Sequence, residues 1–213
     1  MIDCTFCAEL SSGSDRAQWN QPLAETDHLV VVPSLGSLVA GWVLIVPKEH
    51  HLSMGAMPIE LQNEVDALEQ RIKELLHLEY RKPVVAFEHG PSAAKHGTGC
   101  GVDHAHLHLV PTDCDVLRHA LPLVPGSTRW SFCGEDNGWA ARTQAYKDGQ
   151  DYLYLRPDGE EGIVGVCGDF GSQIFRRAIS IYLGKEGEFN WRAYPRIEIV
   201  LKTIERLGPA LTA

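Results

Sequence analysis

The chain contains the segment His104-Ala105-His106-Leu107-His108, in which histidines alternate with apolar residues. Alternate side chains of a β-strand point to the same face of a sheet, so the alternation predicts that the three imidazoles project together. Ala105 and Leu107 would then face a core on the other side. We therefore predict a half-buried strand over Asp103–Pro111, with the three histidines on its open face.

Three interpretations of these aligned histidines follow from the chemistry of imidazole. They could be ordinary solvent-facing polar residues, although lysine, threonine and glutamate are more usual on such a face. Two or three of the nitrogens could bind a metal ion, as in zinc hydrolases and lyases. Alternatively, one imidazole could attack phosphorus while its neighbours orient it and bind the charged oxygens. The spacing alone does not separate the last two.

The segments around these histidines predict an α+β fold. The apolar spacing of three and four residues in Pro58–Tyr80 indicates one long helix. The predicted strands of the first half are Asp27–Pro33, Trp42–Val46, Val84–Phe87 and Asp103–Pro111. Because this order is β-β-α-β-β, we expect a mainly antiparallel sheet of about five strands.

The pattern changes after Pro111. Tyr152–Arg156 and Ile163–Val166 predict a β-hairpin, and Phe170–Leu183 and Pro195–Leu207 predict helices. We therefore divide the chain into a domain over 1–111 and a C-terminal extension over 112–213 that packs on it and is not a separate domain. Arg176 and Arg177 lie at the start of a predicted helix, where they could bind an anion or simply cover a polar helix face.

Charge and hydropathy restrict the partners of the chain. Its 213 residues carry a formal net charge of −9, which argues against a nucleic-acid polymer as ligand but leaves small phosphorylated ligands open. The longest apolar stretch, Leu38–Val46, is too short to span a bilayer. The first residues lack a basic region followed by an apolar run. We expect a cytoplasmic protein without a membrane partner.

Cys4 and Cys7 have the two-residue gap of zinc knuckles. A redox pair is the alternative, but it requires a βαβ context that residues 8–26 do not supply. A zinc site would need two further nitrogen or sulfur ligands.

Several motifs resemble those of the histidine-triad (HIT) superfamily. His-Ala-His-Leu-His-Leu-Val, residues 104–110, matches the family pattern His-φ-His-φ-His-φ-φ, where φ is apolar, at every position. The segments 27–33 and 41–50, the second ending in Pro-Lys-Glu-His, resemble the paired strands of the family, and its zinc-bearing members commonly open with Cys-x-x-Cys. The match covers about residues 3–111. Residues 87–90 and 99–104 further resemble the galactose-1-phosphate uridylyltransferase branch.

The resemblance implies a HIT-like fold and a mechanism at phosphorus. His106 would attack the α-phosphorus of a nucleotide through Nε2 and form a nucleotidyl-histidine, while a backbone carbonyl holds its Nδ1–H. His108 would hydrogen-bond the phosphate. Backbone N–H groups around Gly99, Cys100 and Gly101 would receive phosphate oxygens, since glycine permits close approach.

The resemblance also implies a structural zinc site formed by Cys4, Cys7, His50 and His104. His51 is adjacent to His50, and the sequence does not decide between them. The triad would then be divided, with His104 structural and the other two histidines catalytic. Two-fold homodimers are common in the family, so we expect one here.

Two positions depart from the family pattern and leave the substrate open. Ser34 stands where many members carry an aspartate that grips the ribose, and Glu88 stands where many carry an asparagine. Both are candidate nucleotide-binding residues. The substrate could be a dinucleoside polyphosphate, a nucleoside phosphoramidate or a nucleotide sugar, processed by hydrolysis or transfer. A non-catalytic nucleotide-binding protein and a zinc hydrolase with all three triad histidines as ligands are the alternatives.

Overall fold

A computed structural model describes residues 4–12, 21–94 and 101–211. Within these residues the protein has six α-helices and eight strands. The helices are α1 (Thr5–Ser11), α2 (Gln62–Tyr80), α3 (Val116–Ala120), α4 (Trp139–Lys147), α5 (Ile174–Tyr182) and α6 (Ile197–Leu211). The strands are β1 (Ala24–Glu25), β2 (Leu29–Pro33), β3 (Val43–Pro47), β4 (Val84–Gly90), β5 (Leu107–Pro111), β6 (Arg129–Phe132), β7 (Asp151–Arg156) and β8 (Ile163–Cys167).

The described strands form one antiparallel sheet in the order β1-β2-β3-β5-β4-β7-β8-β6. The α+β class and the antiparallel sheet are as predicted, but the expectation of about five strands is wrong. The predicted hairpin β7–β8 joins the same sheet, because β7 pairs with β4 from Ala86↔Arg156 to Gly90↔Tyr152. β1 and β6 are short segments without clear alternation, so the sequence pattern did not reveal them.

Both faces of the sheet are buried. On one face, a core is formed by alternate residues of β2, β3 and β5 together with Leu68, Ile72 and Leu76 of α2. On the other face, Phe175 and Ile179 of α5 belong to a second core. The predicted open face of the histidine strand is therefore covered, because the extension supplies a helix that the first half of the chain lacks.

The long helix and the two C-terminal helices lie where the apolar periodicity predicts them, with shifted ends. A 3₁₀ turn over Ile59–Leu61 precedes α2, so the α-helix starts at Gln62 and not at Pro58. It ends where Arg81 takes a left-handed conformation, at φ 52°. α5 is shorter than Phe170–Leu183, and α6 extends beyond Leu207.

The histidine strand is shorter than Asp103–Pro111. The regular strand begins at Leu107, and its register with β3 runs from Val43↔Leu109 to Ile45↔Leu107. Ala105 N–H instead donates to the carbonyl of His51 at 2.7 Å, so the preceding residues bond to a loop and not to a strand. His104 and His106 thus lie just before the strand.

In the described ranges, no helix is long and apolar enough to cross a bilayer.

Candidate functional site

The triad histidines lie on the sheet face that α5 covers. His108 is on β5, two residues from Val110, whose side chain belongs to the core under α5. The rings of His106 and His108 meet edge to face, with centroids 4.9 Å apart. His104, His106 and His108 are all buried. The structure thus brings the three predicted residues together, in a less exposed setting than the alternation indicated.

The backbone fixes the tautomer of His106. Its Nδ1 lies 2.6 Å from the carbonyl oxygen of His104, and because a carbonyl only accepts, Nδ1 carries the proton. The lone pair of the neutral ring is then on Nε2. Burial lowers the pKa of His106, and the charge of Arg176 lowers it further. A neutral imidazole with its lone pair on Nε2 is the form that acts as a nucleophile.

Trp42 fixes the opposite tautomer in His108. The indole Nε1–H donates to His108 Nδ1 at 2.9 Å, so the proton of the neutral ring is on Nε2. Phe87 stacks on the same imidazole at 4.5 Å. Burial holds the pKa of His108 well below its usual range. The two rings therefore offer a lone pair at His106 and a hydrogen-bond donor at His108.

An open pocket adjoins these two rings. Its walls are mostly apolar, as in many sites for small organic ligands. The residues that line it are Thr5, Phe6, Glu9, Val32, Pro33, Ser34, Leu35, Leu44, Val102, His106, His108, Arg176 and Trp191. They come from the N-terminal helix, from β2, β3 and β5, and from the extension, so the pocket is assembled from distant parts of the chain.

The extension contacts the turn after β2. Gly36 has φ +69°, and its N–H donates to the carbonyl of Pro195 at 2.8 Å. A Cβ at Gly36 would lie 2.5 Å from Cβ of Trp191, a distance that real side chains do not adopt. A glycine is thus required here on two grounds, and it allows Trp191 to form a wall of the pocket.

Arg176 enters the pocket from the N-terminal part of α5. Its side chain is 1% exposed. Nη1 donates to Ser34 Oγ at 3.4 Å, Nε donates to the carbonyl of Phe189 at 3.1 Å, and Nη2 donates to the carbonyl of Gly36. The guanidinium also lies over the ring of Trp42, at 4.7 Å. Arg177 by contrast lies near Phe189 and does not line the pocket.

His89 is a fourth buried histidine beside the triad, and sequence reasoning missed it. Its ring lies 6.4 Å from that of His108 and 5.0 Å from that of Phe175. Its Nε2 accepts from the backbone N–H of Phe175 at 3.3 Å. Burial lowers its pKa to about 3, with smaller contributions from His106 and Arg176. The sequence could have indicated this residue, because His89 follows Phe87 by two positions and the two side chains therefore share one face of β4.

A second cluster of ligating side chains lies at the start of the triad segment. One ligand atom from each of Cys4, Cys7, His50 and His104 can be chosen so that all four lie within 4.8 Å of one another. Cys4 Sγ is 3.3 Å and Cys7 Sγ is 3.6 Å from His104 Nδ1, and Cys7 Sγ is 3.4 Å from His50 Nδ1. The three sulfur–nitrogen distances fit a tetrahedral zinc site, whose ligand atoms lie about 3.3 to 3.8 Å apart.

The orientation of the histidines in this cluster suits metal binding. His104 Nε2 lies 2.8 Å from the carbonyl of Pro47, so Nε2 carries the proton and Nδ1 faces the two sulfurs. His51 is outside the cluster, and its Nε2 approaches Glu49 at 3.9 Å. The structure therefore brings His50 rather than His51 to the cysteines. Burial and the neighbouring Cys4 raise the pKa of Cys7 to about 11.

The other predicted site residues divide into three groups. Ser34 lines the pocket beside His106 and His108. Gly101 has φ +83° and its carbonyl accepts from Arg192 Nη2. Gly99 and Cys100 lie outside the described residues.

Glu88 is the predicted residue that the structure separates from the triad. Its neighbours on β4, Phe87 and His89, contact the triad, so Glu88 points to the opposite face of the sheet. There its carboxylate accepts from the backbone N–H of Met54 at 2.6 Å and from the hydroxyl of Tyr152 at 2.8 Å. Burial raises its pKa, although Arg142 at 3.5 Å opposes this effect.

Searches of protein-family models and of curated proteins found no match to the chain. Several solved structures that align with it are described as histidine-triad proteins, the family that the sequence motifs resemble. A Zn-bound histidine-triad protein from Mycobacterium smegmatis is 21% identical over 69% of this chain and 95% of its own, with a TM-score of 0.42. A HIT family protein from Bacillus anthracis is 20% identical over 54% of this chain and 76% of its own, with a TM-score of 0.43.

The yeast Ap4A phosphorylase, solved in complex with AMP, aligns with a larger part of the chain. It is 13% identical over 88% of this chain and 76% of its own, with a TM-score of 0.46. At this level of identity and similarity, the roles of residues in the present chain rest on its own geometry.

Proposed function

We propose that the protein is a histidine-triad enzyme that binds a nucleotide in the pocket beside His106 and cleaves it at the α-phosphorus. The observation that carries the proposal is the pair of fixed tautomers: His106 bonds its Nδ1–H to the carbonyl of His104, and His108 accepts from Trp42. This arrangement presents a nucleophilic nitrogen and a hydrogen-bond donor to the same space, as an attack on a phosphoryl group requires.

In the first step, the lone pair on His106 Nε2 forms a bond to the α-phosphorus. The bond from phosphorus to the leaving group breaks, and its electron pair leaves with that group. A phosphate leaving group is stable as an anion and needs no proton, whereas the amine that leaves from a phosphoramidate takes up one proton from solvent. The positive charge that develops on the phosphorylated ring is stabilised by the carbonyl of His104, which accepts from Nδ1–H. His108 donates from Nε2–H to a phosphoryl oxygen without giving up its proton.

In the second step, an acceptor oxygen forms a bond to the same phosphorus. The N–P bond breaks and its electron pair returns to Nε2, which restores neutral His106. If the acceptor is water, its proton passes to solvent and the reaction is hydrolysis. If the acceptor is a phosphate or a sugar phosphate, the nucleotide is transferred. Ser34, which lines the pocket, would hydrogen-bond a ribose hydroxyl.

We also propose that Cys4, Cys7, His50 and His104 hold a structural zinc ion. The match of their separations to tetrahedral geometry supports this assignment. When bound, the ion would supply a cross-link between the N-terminal residues and the segment that precedes β5. His104 then keeps its carbonyl in place as the acceptor for His106 Nδ1–H.

The enzymatic proposal is tested by trapping the covalent intermediate. We would incubate the protein with α-labelled dinucleoside polyphosphates, nucleoside phosphoramidates and nucleotide sugars, and examine the quenched protein by mass spectrometry. We expect one nucleotidyl group on His106 and a loss of turnover of at least about 1,000-fold in His106→Gln. His77→Gln is the matched control, since His77 is an exposed histidine of α2.

Two results would contradict the proposal in different ways. Turnover that persists in His106→Gln would remove His106 from the reaction. Nucleotide binding without turnover or adduct in the wild-type protein would instead favour the non-catalytic binding protein.

The zinc assignment is tested by metal analysis of the purified protein. We expect about one zinc per chain in the wild type, and none when Cys4→Ser and Cys7→Ser are combined. Cys167→Ser is the control, because Cys167 lies on β8, outside the cluster. Zinc that persists in the double variant would refute the site.

A further inference from the structure

We infer that Arg176, which belongs to the extension, binds the phosphoryl group of the substrate beside His106. The inference rests on the proposed function and deepens it, because it assigns the anion-binding role to a residue outside the part of the chain that carries the triad motifs. The observations that support it are the position of Arg176 in the pocket lining and the contacts that hold it there.

The first argument is position. Arg176 lines the same pocket as His106 and His108, although it lies 142 residues after Ser34, which its Nη1 contacts. The guanidinium and both imidazole rings thus face the same cavity. A phosphoryl group within reach of His106 would therefore lie in the field of Arg176.

The second argument is preorganisation. Three carbonyl or hydroxyl oxygens, those of Phe189, Gly36 and Ser34, accept from the guanidinium, and the ring of Trp42 supports its face. These contacts orient the guanidinium. A cation fixed before the substrate arrives needs no reorganisation when negative charge develops on phosphoryl oxygens in the transition state.

The third argument is the length of one contact. The 3.4 Å separation between Arg176 Nη1 and Ser34 Oγ is long for an N–H···O hydrogen bond, which is usually 2.7 to 3.2 Å. A phosphoryl oxygen would be a stronger acceptor than this hydroxyl, because a charged acceptor gives a shorter and stronger bond. Ser34 and Arg176 together would then join the ribose side of the pocket to its phosphate side.

The alternative is that Arg176 has only a structural role and holds α5 against the turn after β2. That role would affect the whole pocket, and thus every ligand in it, whereas phosphate binding affects only ligands that carry a phosphate. The two roles are therefore separated by comparing a nucleoside with its own 5′-monophosphate. The adjacent Arg177 provides the matched control, since it has the same side chain on the same helix but does not line the pocket.

The experiment measures dissociation constants of AMP, GMP, CMP and UMP and of the four matching nucleosides by calorimetry. The proteins are the wild type, Arg176→Gln, Arg176→Lys and Arg177→Gln, each checked by thermal unfolding. For the base that the wild type prefers, we expect Arg176→Gln to weaken the monophosphate by about 10- to 100-fold and the nucleoside by less than about threefold. Arg177→Gln should change neither.

Arg176→Lys keeps the charge and keeps the inference falsifiable if Arg176→Gln does not fold. We expect it to weaken the monophosphate by about three- to tenfold, because lysine retains the charge but not the planar donor geometry. Equal weakening of nucleoside and monophosphate in the Arg176 variants would overturn the inference in favour of a structural role. Unchanged affinity for both ligands would also overturn it.

The outcomes also separate this inference from the proposed function. Selective loss of monophosphate affinity in a protein that forms no His106 adduct would support the phosphate-binding role and refute the enzymatic proposal. An adduct that forms at the wild-type rate in Arg176→Gln would refute the role of Arg176 and leave the enzymatic proposal intact. A wild-type protein that binds none of the eight probes would overturn the inference, whereas the adduct experiment alone decides the enzymatic proposal.

Discussion

Replacing His89 by glutamine should make the stability of the protein less sensitive to acid. His89 is buried beside the triad, and its Nε2 accepts from the backbone N–H of Phe175. Protonation would place a charge in this apolar setting and would replace an acceptor with a donor. Burial accordingly lowers the pKa of His89 from 6.5 to about 3. Glutamine can keep the bond from Phe175 through its side-chain oxygen, but it does not titrate.

The sign of the effect follows from linkage between protonation and folding. Because the folded-state pKa is lowered, the unfolded chain takes up the proton first as the pH falls. The contribution of His89 to stability is therefore complete above pH 6.5 and is lost progressively as the pH falls towards about 3. Each pH unit within this window corresponds to about 1.4 kcal/mol. Between pH 7.5 and pH 5 the loss is about 2 kcal/mol for this one residue.

The assay is urea unfolding at pH 7.5, 6 and 5, with the free energy extrapolated to water. Other titrating groups affect the wild type and His89→Gln alike, so the difference between the two proteins isolates His89. We expect this difference to change by about 2 kcal/mol in favour of the variant on going from pH 7.5 to pH 5.

A difference between wild type and His89→Gln that does not change with pH would refute this reasoning. It would mean that protonation of His89 is not coupled to folding. His89 would then take up a proton as readily in the folded protein as in the unfolded chain, although its Nε2 faces the backbone N–H of Phe175.

Three further substitutions test the placement of single side chains. Glu88→Gln should destabilise the protein by about 3 kcal/mol in denaturant unfolding, because it leaves the charge of Arg142 buried without its carboxylate. Nucleotide affinity, measured by calorimetry, should stay within twofold of the wild type. Trp191→Ala should weaken nucleosides and monophosphates by the same factor of about 10, measured by calorimetry, because it removes an apolar wall of the pocket. Trp42→Phe removes the donor to His108, so adduct formation in rapid-quench experiments should slow by about 10- to 100-fold.

The sequence predicted the parts of the fold that depend on local pattern. The helix over Gln62–Tyr80 shows its apolar residues at helical spacing, and β2 and β3 are short apolar runs bounded by turn residues. The ends of elements were less predictable. The strand that carries the triad begins at Leu107 because the backbone of Ala105 bonds to His51, a contact between segments that no local pattern encodes.

In the candidate site too, local sequence pattern predicted some features and missed others. The alternation of histidines placed His106 and His108 side by side, and the gap between Cys4 and Cys7 indicated a metal cluster. Glu88 was assigned to the nucleotide because of its motif, but strand alternation directs it to the face opposite Phe87. That distinction was available in the sequence, since residues 87 and 89 share a face and residue 88 does not. The homodimer stays a prediction.

The covering of the triad could not be predicted from local pattern, and it determines the electrostatics of the site. Alternation reports which side chains share a face, but the element that covers the face is chosen by tertiary packing. Here α5 covers it, places Phe175 against His89, and carries Arg176 into the pocket. The same burial that lowers the pKa values of these histidines keeps their rings neutral, while arginine keeps its charge. The extension thus surrounds the neutral imidazoles and supplies a fixed cation beside them.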